Sequence, residues 1–105
     1  MINPTDLYEK AIRQAEDYAD RDYAAGILED ALSTLEGHLT AELKAKGEPT
    51  TILSKLVKKD ERWITAANDW RAAKKSALIA KMKYEQVNRY QDNIRTVEAS
   101  TRKLA

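Results

Sequence analysis

The 105-residue chain contains no cysteine, no phenylalanine and only one histidine, His38. Without cysteine, disulfides, thiolate nucleophiles and zinc–thiolate sites are excluded. Glycine and proline are scarce, with three and two residues, which is too few for the turns of a many-stranded fold. Aromatic residues make up 7% of the chain and charged residues 33%, so the sequence predicts a thin, elongated core.

The sequence also lacks a run of about 20 apolar residues, the length that crosses a lipid bilayer. Residues 1–6 have neither a basic flank nor an apolar segment, so they do not resemble a signal peptide. We therefore expect a cytoplasmic protein that does not bind a membrane.

What the chain does contain is the composition of long helices and coiled coils, rich in Ala, Glu, Lys, Arg and Leu. Its charges are unevenly distributed. Residues 1–48 hold five Lys/Arg and eleven Asp/Glu, a net of −6, whereas residues 49–105 hold thirteen and six, a net of +7. This asymmetry indicates either an acidic helix beside a basic helix in one molecule, or a basic half that faces nucleic acid or an acidic partner.

The first helix is predicted over about residues 4–46. Asn3 is a suitable N-cap, and Pro4 suits the first helical position. An apolar stripe with steps of three, four and seven gives this helix one buried face. The stripe consists of Leu7, Ala11, Tyr18, Ala25, Leu28, Leu32, Leu35, Leu39 and Leu43. A neighbouring flank competes to be the buried face, and it consists of Tyr8, Ile12, Ala15 and Ala19.

A break follows at Gly47 and Pro49. Gly47 suits a left-handed C-terminal cap, and Pro49 prevents the helix from continuing. A short helix is then predicted over about residues 51–58, capped by Thr50 or Thr51. Its apolar residues form a lid over the tip of the molecule, and they are Ile52, Leu53, Leu56 and Val57.

The last helix is predicted over about residues 60–104, with Asp60 as its cap. Two series of residues, each with a spacing of seven, run along it and define a coiled-coil seam. The first series is Trp63, Trp70, Ala77, Tyr84, Gln91 and Glu98, and the second is Ala66, Ala73, Ala80, Val87, Ile94 and Thr101.

The helices are expected to fold back on each other at residues 47–50, because this pairs their apolar faces with a short loop. The predicted architecture is all-α, a single domain over residues 1–105 built as a long antiparallel helical hairpin with a short helix at its tip. Two helices leave apolar surface uncovered, so we expect a homodimer that forms a four-helix bundle.

The predicted contact residues form two groups. A second apolar stripe on the last helix lies one position before the first seam series, and it consists of Tyr90, Val97 and Leu104. The second group is the tip lid, with Ile52, Leu53 and Leu56. These six residues are the sequence's candidates for binding a protein partner.

No arrangement of residues points to catalysis. His38 is a lone helical histidine, and general acid–base chemistry needs a second positioned group. Helical carboxylate metal sites need a Glu-x-x-His motif, and the sequence has none. Phosphate-binding glycine loops and nucleophile elbows are also missing. We therefore predict a protein that is not an enzyme and has no metal, cofactor or small-molecule substrate.

A cluster of cations suggests an alternative function. Between Trp70 and Tyr84 there are five basic residues and no acidic residue, and the five are Arg71, Lys74, Lys75, Lys81 and Lys83. Unopposed cations of this kind bind phosphate backbones. The two tryptophans lie at heptad spacing, which favours a core position over base stacking. The alternative is an accessory DNA-binding protein.

Several segments also carry a family resemblance. They are an acidic first helix with tyrosines over residues 7–24, the segment Ala41-Glu42-Leu43-Lys44-Ala45-Lys46-Gly47-Glu48, then Lys59-Asp60-Glu61, Tyr84-Glu85 and Arg95-Thr96-Val97-Glu98. In this order the chain resembles the short helical proteins encoded in early or recombination regions of tailed bacteriophages and prophages. The resemblance implies a small accessory protein acting in the cytoplasm of the infected cell, with no catalytic residues to transfer.

Overall fold

The protein is described by a computed structural model that covers the backbone of residues 3–104 and the side chains of residues 3–102. Its elements are α1 (Pro4–Ala45), a 3₁₀ turn (Thr50–Ile52), α2 (Leu53–Lys59) and α3 (Glu61–Leu104). Helices α1 and α3 pack against each other in antiparallel directions, giving a molecule of 80 × 22 × 14 Å. The predicted all-α helical hairpin is confirmed, and no strand occurs in the described residues.

Two predicted caps fix the starts of the long helices. The backbone N–H of Thr5 donates to Asn3 Oδ1 at 3.0 Å, and Pro4 occupies the first turn of α1. At α3, the backbone N–H of Arg62 donates to Asp60 Oδ1 at 2.8 Å. Each cap satisfies a helix N–H group that has no partner within the helix.

The turn after α1 also has the predicted geometry. Gly47 has a φ of 85°, in the left-handed region that glycine adopts without steric cost. Its N–H donates to the carbonyl of Lys44 at 3.0 Å, and the N–H of Glu48 donates to that of Leu43 at 3.1 Å. This pair of bonds is the Schellman motif, which ends a helix while satisfying its last carbonyls.

The predicted threonine cap of α2 is wrong. Helix α2 begins after Ile52, and no side chain hydrogen-bonds to its first N–H groups. The chain instead enters α2 through the 3₁₀ turn, in which the N–H of Ile52 donates to the carbonyl of Pro49 at 3.2 Å. Because backbone carbonyls accept these hydrogen bonds, neither threonine side chain is needed.

The nine residues of the predicted α1 stripe are all buried or half-buried, from Leu7 at 8% exposure to Leu39 at 2%. The competing flank stays outside, with Tyr8 at 61% and Ile12 at 41% exposure. The stripe is therefore the face of α1 that packs against α3, and the flank is left with apolar surface exposed.

The predicted seam of α3 is confirmed from Trp63 to Ile94, where every member of both series is buried or half-buried. Its extension to Glu98 and Thr101 is wrong, because both residues are exposed. Helix α1 begins at Pro4, which lines the same groove as Ile94 and Glu98, so later residues of α3 have no helix opposite them.

Oppositely charged helices lie side by side, as one interpretation of the charge asymmetry expected. Among the described side chains, however, only one ion pair joins them, between Arg62 and Glu42 at 2.9 Å. The remaining ion pairs link neighbouring residues along the chain. Burial of the apolar faces, and not charge pairing, therefore holds the hairpin together.

Candidate interaction surface

Exposed large apolar side chains concentrate in the half of the hairpin farther from the turn. We call residues 4–27 and 71–104 the open half and residues 28–70 the tip half. Of eleven such side chains in the described residues, only Ile52 and Ile64 lie in the tip half. The other nine are Tyr8, Ile12, Tyr23, Ile27, Leu78, Ile79, Met82, Tyr90 and Val97.

One side of the open half, which we call the groove face, carries a groove of about 510 Å³ between the two helices. Its lining residues are Asp6, Leu7, Lys10, Arg13, Gln86, Val87 and Tyr90. Within the described side chains, Lys10 and Arg13 form no ion pair. The groove therefore offers an apolar floor beside two available cations and the carboxylate of Asp6.

A second groove of about 530 Å³ crosses the open end and shares Leu7 and Tyr90 with the first. Tyr90 is 45% exposed, and Val97 lies one heptad further along α3 and is 65% exposed. Two of the three predicted stripe residues therefore lie at the open end. The third, Leu104, ends α3, but its side chain lies outside the described residues.

The predicted contact residues of the tip are less available. Leu53 is only 5% exposed, and Leu56 is half-buried. Ile52 precedes α2 and is 37% exposed. Because α2 packs against both long helices, Leu53 and Leu56 stabilise the tip, and Ile52 is the lid residue left for contact with another molecule.

The opposite side of the open half, which we call the flat face, is found from helix geometry. Residues 10, 13 and 17 of α1 line grooves on the groove face, so at 100° per residue positions 8, 12, 15 and 19 lie on the other side. On α3, residues 76, 79 and 83 line a groove on the groove face. Positions 71, 74, 78 and 81 therefore lie on the opposite side of that helix. The flat face consists of Tyr8, Ile12, Ala15, Ala19, Arg71, Lys74, Leu78 and Lys81.

The five cations of the candidate nucleic-acid site are all exposed, but they do not form one stripe. Lys83 lines a groove on the groove face. Lys74 Nζ lies 5.0 Å from the ring centroid of Trp70, and Lys81 Nζ is 4.0 Å from a carboxylate oxygen of Glu85. Lys75 lines the same groove as Lys83, and Arg71 donates to Asn68 Oδ1 at 3.4 Å, so the positive charge is spread around the helix.

The tryptophans belong to the seam, as their spacing predicted. Trp63 is half-buried, and its Nε1 donates to Glu36 Oε1 at 2.8 Å. Trp70 is also half-buried, with the ammonium group of Lys74 over its ring. The indole rings are thus engaged within the molecule and do not form a platform for base stacking.

Arg62 links the two long helices near the tip. Its guanidinium donates to both carboxylate oxygens of Glu42 and to Asp60, with Nη2 at 2.9 Å from Glu42 Oε2 and 3.0 Å from Asp60 Oδ2. The hydrogen bonds and the positive charge lower the pKa of both carboxyls below their ordinary values. The two carboxylates in turn raise the pKa of Arg62.

Several exposed residues of the open half are not predicted by the sequence pattern. Lys10, Arg13 and Gln86 line the first groove, and Leu78 and Met82 are 57% and 62% exposed within the basic segment. The signal for Leu78 and Met82 was available, because both are large apolar residues outside the seam series. The groove residues could not be found from one helix pattern, since their grouping depends on how α1 and α3 pair.

Within the described residues, no three His, Cys, Asp or Glu side chains group in a way that could hold a metal ion. His38 is exposed on α1. No family model, curated protein or solved structure matches the chain. No described helix has the length and hydrophobicity needed to span a membrane.

Proposed function

We propose that this chain is a non-catalytic interaction protein that binds and modulates another protein through the groove face of its open half. Exposed Ile79 and Tyr90, which line grooves on that face, and exposed Val97, one heptad beyond Tyr90, carry the proposal. Exposed apolar clusters of this kind are characteristic of protein-binding surfaces. The resemblance noted in the sequence adds the expectation of a phage or prophage accessory protein acting in the cytoplasm.

The groove also indicates the chemistry of its partner. Leu7, Val87 and Tyr90 offer an apolar floor, and Lys10 and Arg13 stand at its side. A segment that inserts an apolar side chain and presents carboxylates to these cations fits such a groove. We therefore expect an amphipathic, acidic partner segment, with Val97 extending the contact along α3.

Site-specific photocrosslinking in cells of the source organism tests this proposal. We would place p-benzoylphenylalanine at Tyr90 and, as a matched control, at Tyr23, which is 73% exposed on the outer side of α1. Position 90 should give a discrete adduct with another protein that position 23 does not give. The Lys10→Glu/Arg13→Glu variant should lose this adduct.

Equal adducts from the two positions, or no adduct other than with a second copy of the chain, would contradict the proposal. Survival of the adduct in the Lys10→Glu/Arg13→Glu variant would show that the partner is not held through its acidic groups.

A second candidate function is binding of a nucleic-acid backbone, which the exposure of all five cations on α3 favours. Binding should fall steeply with salt, because phosphate contacts release counterions. Fluorescence titration of labelled single- and double-stranded oligonucleotides at several salt concentrations measures this. Affinity that disappears in Arg71→Glu/Lys83→Glu supports it, and no binding at low salt removes it.

A further inference from the structure

The flat face carries opposite charges on its two helices, and these charges are hardly used within the molecule. Exposed acidic residues border or lie on its α1 side, among them Glu16, Asp22 and Glu29. Exposed cations lie on its α3 side, namely Arg71, Lys74 and Lys81. Of these six, only Lys81 forms an ion pair with another described side chain, and its partner Glu85 lies four residues further along the same face. The face is therefore complementary in charge to a rotated copy of itself.

Apolar side chains accompany these charges. Tyr8 and Ile12 on the α1 side are 61% and 41% exposed, and Leu78 and the bordering Met82 on the α3 side are 57% and 62% exposed. Covering such side chains stabilises an association, because it removes apolar surface from water. The charges provide specificity, and the apolar residues provide the larger part of the driving force.

From this pattern we infer that the flat face binds a second copy of the chain, with α1 of each copy lying against α3 of the other. This gives a defined geometry to the four-helix bundle expected from the sequence. It goes beyond the proposed function, since binding of a partner in the groove needs no second copy.

Symmetry and charge together select the arrangement. Two copies joined through the flat face can be related by a two-fold axis along the hairpin or by one across it. The axis across the hairpin would place acidic α1 against α1 and basic α3 against α3, and like charges in contact are costly. The axis along the hairpin places α1 against α3 at both contacts, with the two tips at the same end.

The register of the hairpin supports this pairing. Arg21 hydrogen-bonds to Ser76, and the ring of Tyr18 stacks on that of Tyr84, so these stretches of the two helices lie side by side. Because the helices are antiparallel, Leu78 lies near the level of Ala19, and Lys81 lies near the level of Glu16. An axis along the hairpin preserves these levels, so the same pairs face each other between the two copies.

The length of the contact follows from the position of α2. Thr40 lies three heptads after Ala19, hence on the flat-face side, and it lines a groove together with α2 residues Leu53 and Val57. Helix α2 thus covers this side at the tip and confines the contact to the open half. Half of the 80 Å length by the 22 Å width is a footprint of roughly 900 Å², which is large enough to bury the ~800 Å² of accessible surface per partner found in stable interfaces.

A charge-exchange experiment with the full chain tests the dimer. One variant, Glu16→Lys/Asp22→Lys, makes the α1 side basic, and the other, Lys74→Glu/Lys81→Glu, makes the α3 side acidic. Sedimentation equilibrium should show the wild type at twice its 11.9 kDa mass. Each variant alone should dissociate with a Kd raised by at least about tenfold, and an equimolar mixture should restore the dimer.

The control is Asp6→Lys/Asp20→Lys, which makes the same charge change on the groove-face side and should leave the dimer intact. Circular dichroism checks that every variant keeps its helices. A monomeric wild type at tens of micromolar, variants that dimerise alone, or a mixture that stays monomeric would each overturn the inference. None of these results bears on partner adducts at position 90, so the two proposals fail separately.

The orientation is tested with a single label at the tip. Because the chain has no cysteine, Glu48→Cys provides a unique attachment site in the turn. Energy transfer between donor- and acceptor-labelled copies is expected, since both tips lie at the same end. A dimer without energy transfer would place the tips at opposite ends of hairpins 80 Å long and would refute the arrangement.

Discussion

In the tip half, α2 and the leucines of α1 bury one another, and Arg62 and Trp63 connect the two long helices by hydrogen bonds to Glu42 and Glu36. In the open half, the same two helices pack through one stripe each and leave nine large apolar side chains exposed. The difference indicates that the two halves of the hairpin contribute unequally to its stability. The tip half buries its apolar side chains and stabilises the fold, whereas the open half leaves apolar surface exposed.

The largest test of this comparison is a pair of identical substitutions, Leu39→Ala in the tip half and Leu7→Ala in the open half. Leu39 is 2% exposed, so its truncation should lower the free energy of unfolding by about 3 kcal/mol. Leu7 is 8% exposed, but it lines two grooves that are open to water, so its truncation should cost about half as much. Urea unfolding followed by circular dichroism measures both values, and equal losses of unfolding free energy would contradict this difference between the two halves.

The next largest effect is expected at the turn. Gly47 has a φ of 85°, and an alanine held in left-handed geometry costs about 1–2 kcal/mol. Gly47→Ala should therefore lower the free energy of unfolding by this amount, measured by the same urea titration. A neutral or stabilising result would show that the tip half does not depend on the Schellman motif.

The two glycines inside α1 should respond in the opposite direction, and by less. Gly26 lies in the open half and Gly37 in the tip half, and a Cβ added at either meets nothing within 4 Å. Because alanine has a higher helix propensity, each Gly→Ala change should raise the free energy of unfolding by roughly 0.5–1 kcal/mol. Thermal unfolding of the two single variants checks this. A loss of stability at Gly26 alone would reveal a close contact there with another molecule.

The smallest effect is expected from acid. The ordinary pKa values of Glu42 and Asp60 are 4.5 and 3.8, and Arg62 lowers both in the folded protein. A carboxyl with a lowered folded pKa stabilises the fold above its unfolded pKa, and this stabilisation is lost as the pH falls through the folded pKa. Its loss therefore begins near pH 4.5 and continues to lower values. The lost stabilisation is small, because solvent screens exposed charges well.

Arg62→Gln should return both carboxyl pKa values to the ordinary range, as followed by NMR titration of the side-chain carboxyl groups. Arg95→Gln is a suitable control, because Arg95 lies in the open half and is paired only within α3. Unchanged carboxyl pKa values in Arg62→Gln would mean that the link between the two helices does not form in solution.

The architecture could be predicted from the sequence because the buried face of a helix of this length is marked by apolar residues that recur many times. Trp63, Trp70, Ala77 and Tyr84 recur every seven residues, and Gly47 with Pro49 marks the only turn expected between long helices. The start of α2 could not be predicted, because 3₁₀ turns and threonine caps use the same residue types. The end of the seam at Ile94 depended on the point at which α1 begins opposite it.

The surface was less predictable for a related reason. Tyr90 and Val97 were recognised because they form a stripe on a single helix. The groove forms only when α1 and α3 are paired, because each helix contributes one side of it. The pattern of a single helix therefore does not indicate Lys10, Arg13 or Gln86 as groove residues. The exposure of Leu53 was overestimated, because its packing depends on where α2 lies against the two long helices.

The sequence separation of the cross-helix contacts has a consequence for how the molecule assembles. Partners are 20 residues apart for Arg62 with Glu42, 27 for Trp63 with Glu36 and 55 for Arg21 with Ser76. Closing a short loop costs less entropy than closing a long one, so the first contacts to form are those nearest Gly47. Pairing of α1 with α3 should then proceed from the turn toward the two chain ends, and local unfolding should begin at those ends. The groove at Tyr90 should therefore be the last part to form, and its backbone amides should be the first to exchange their protons.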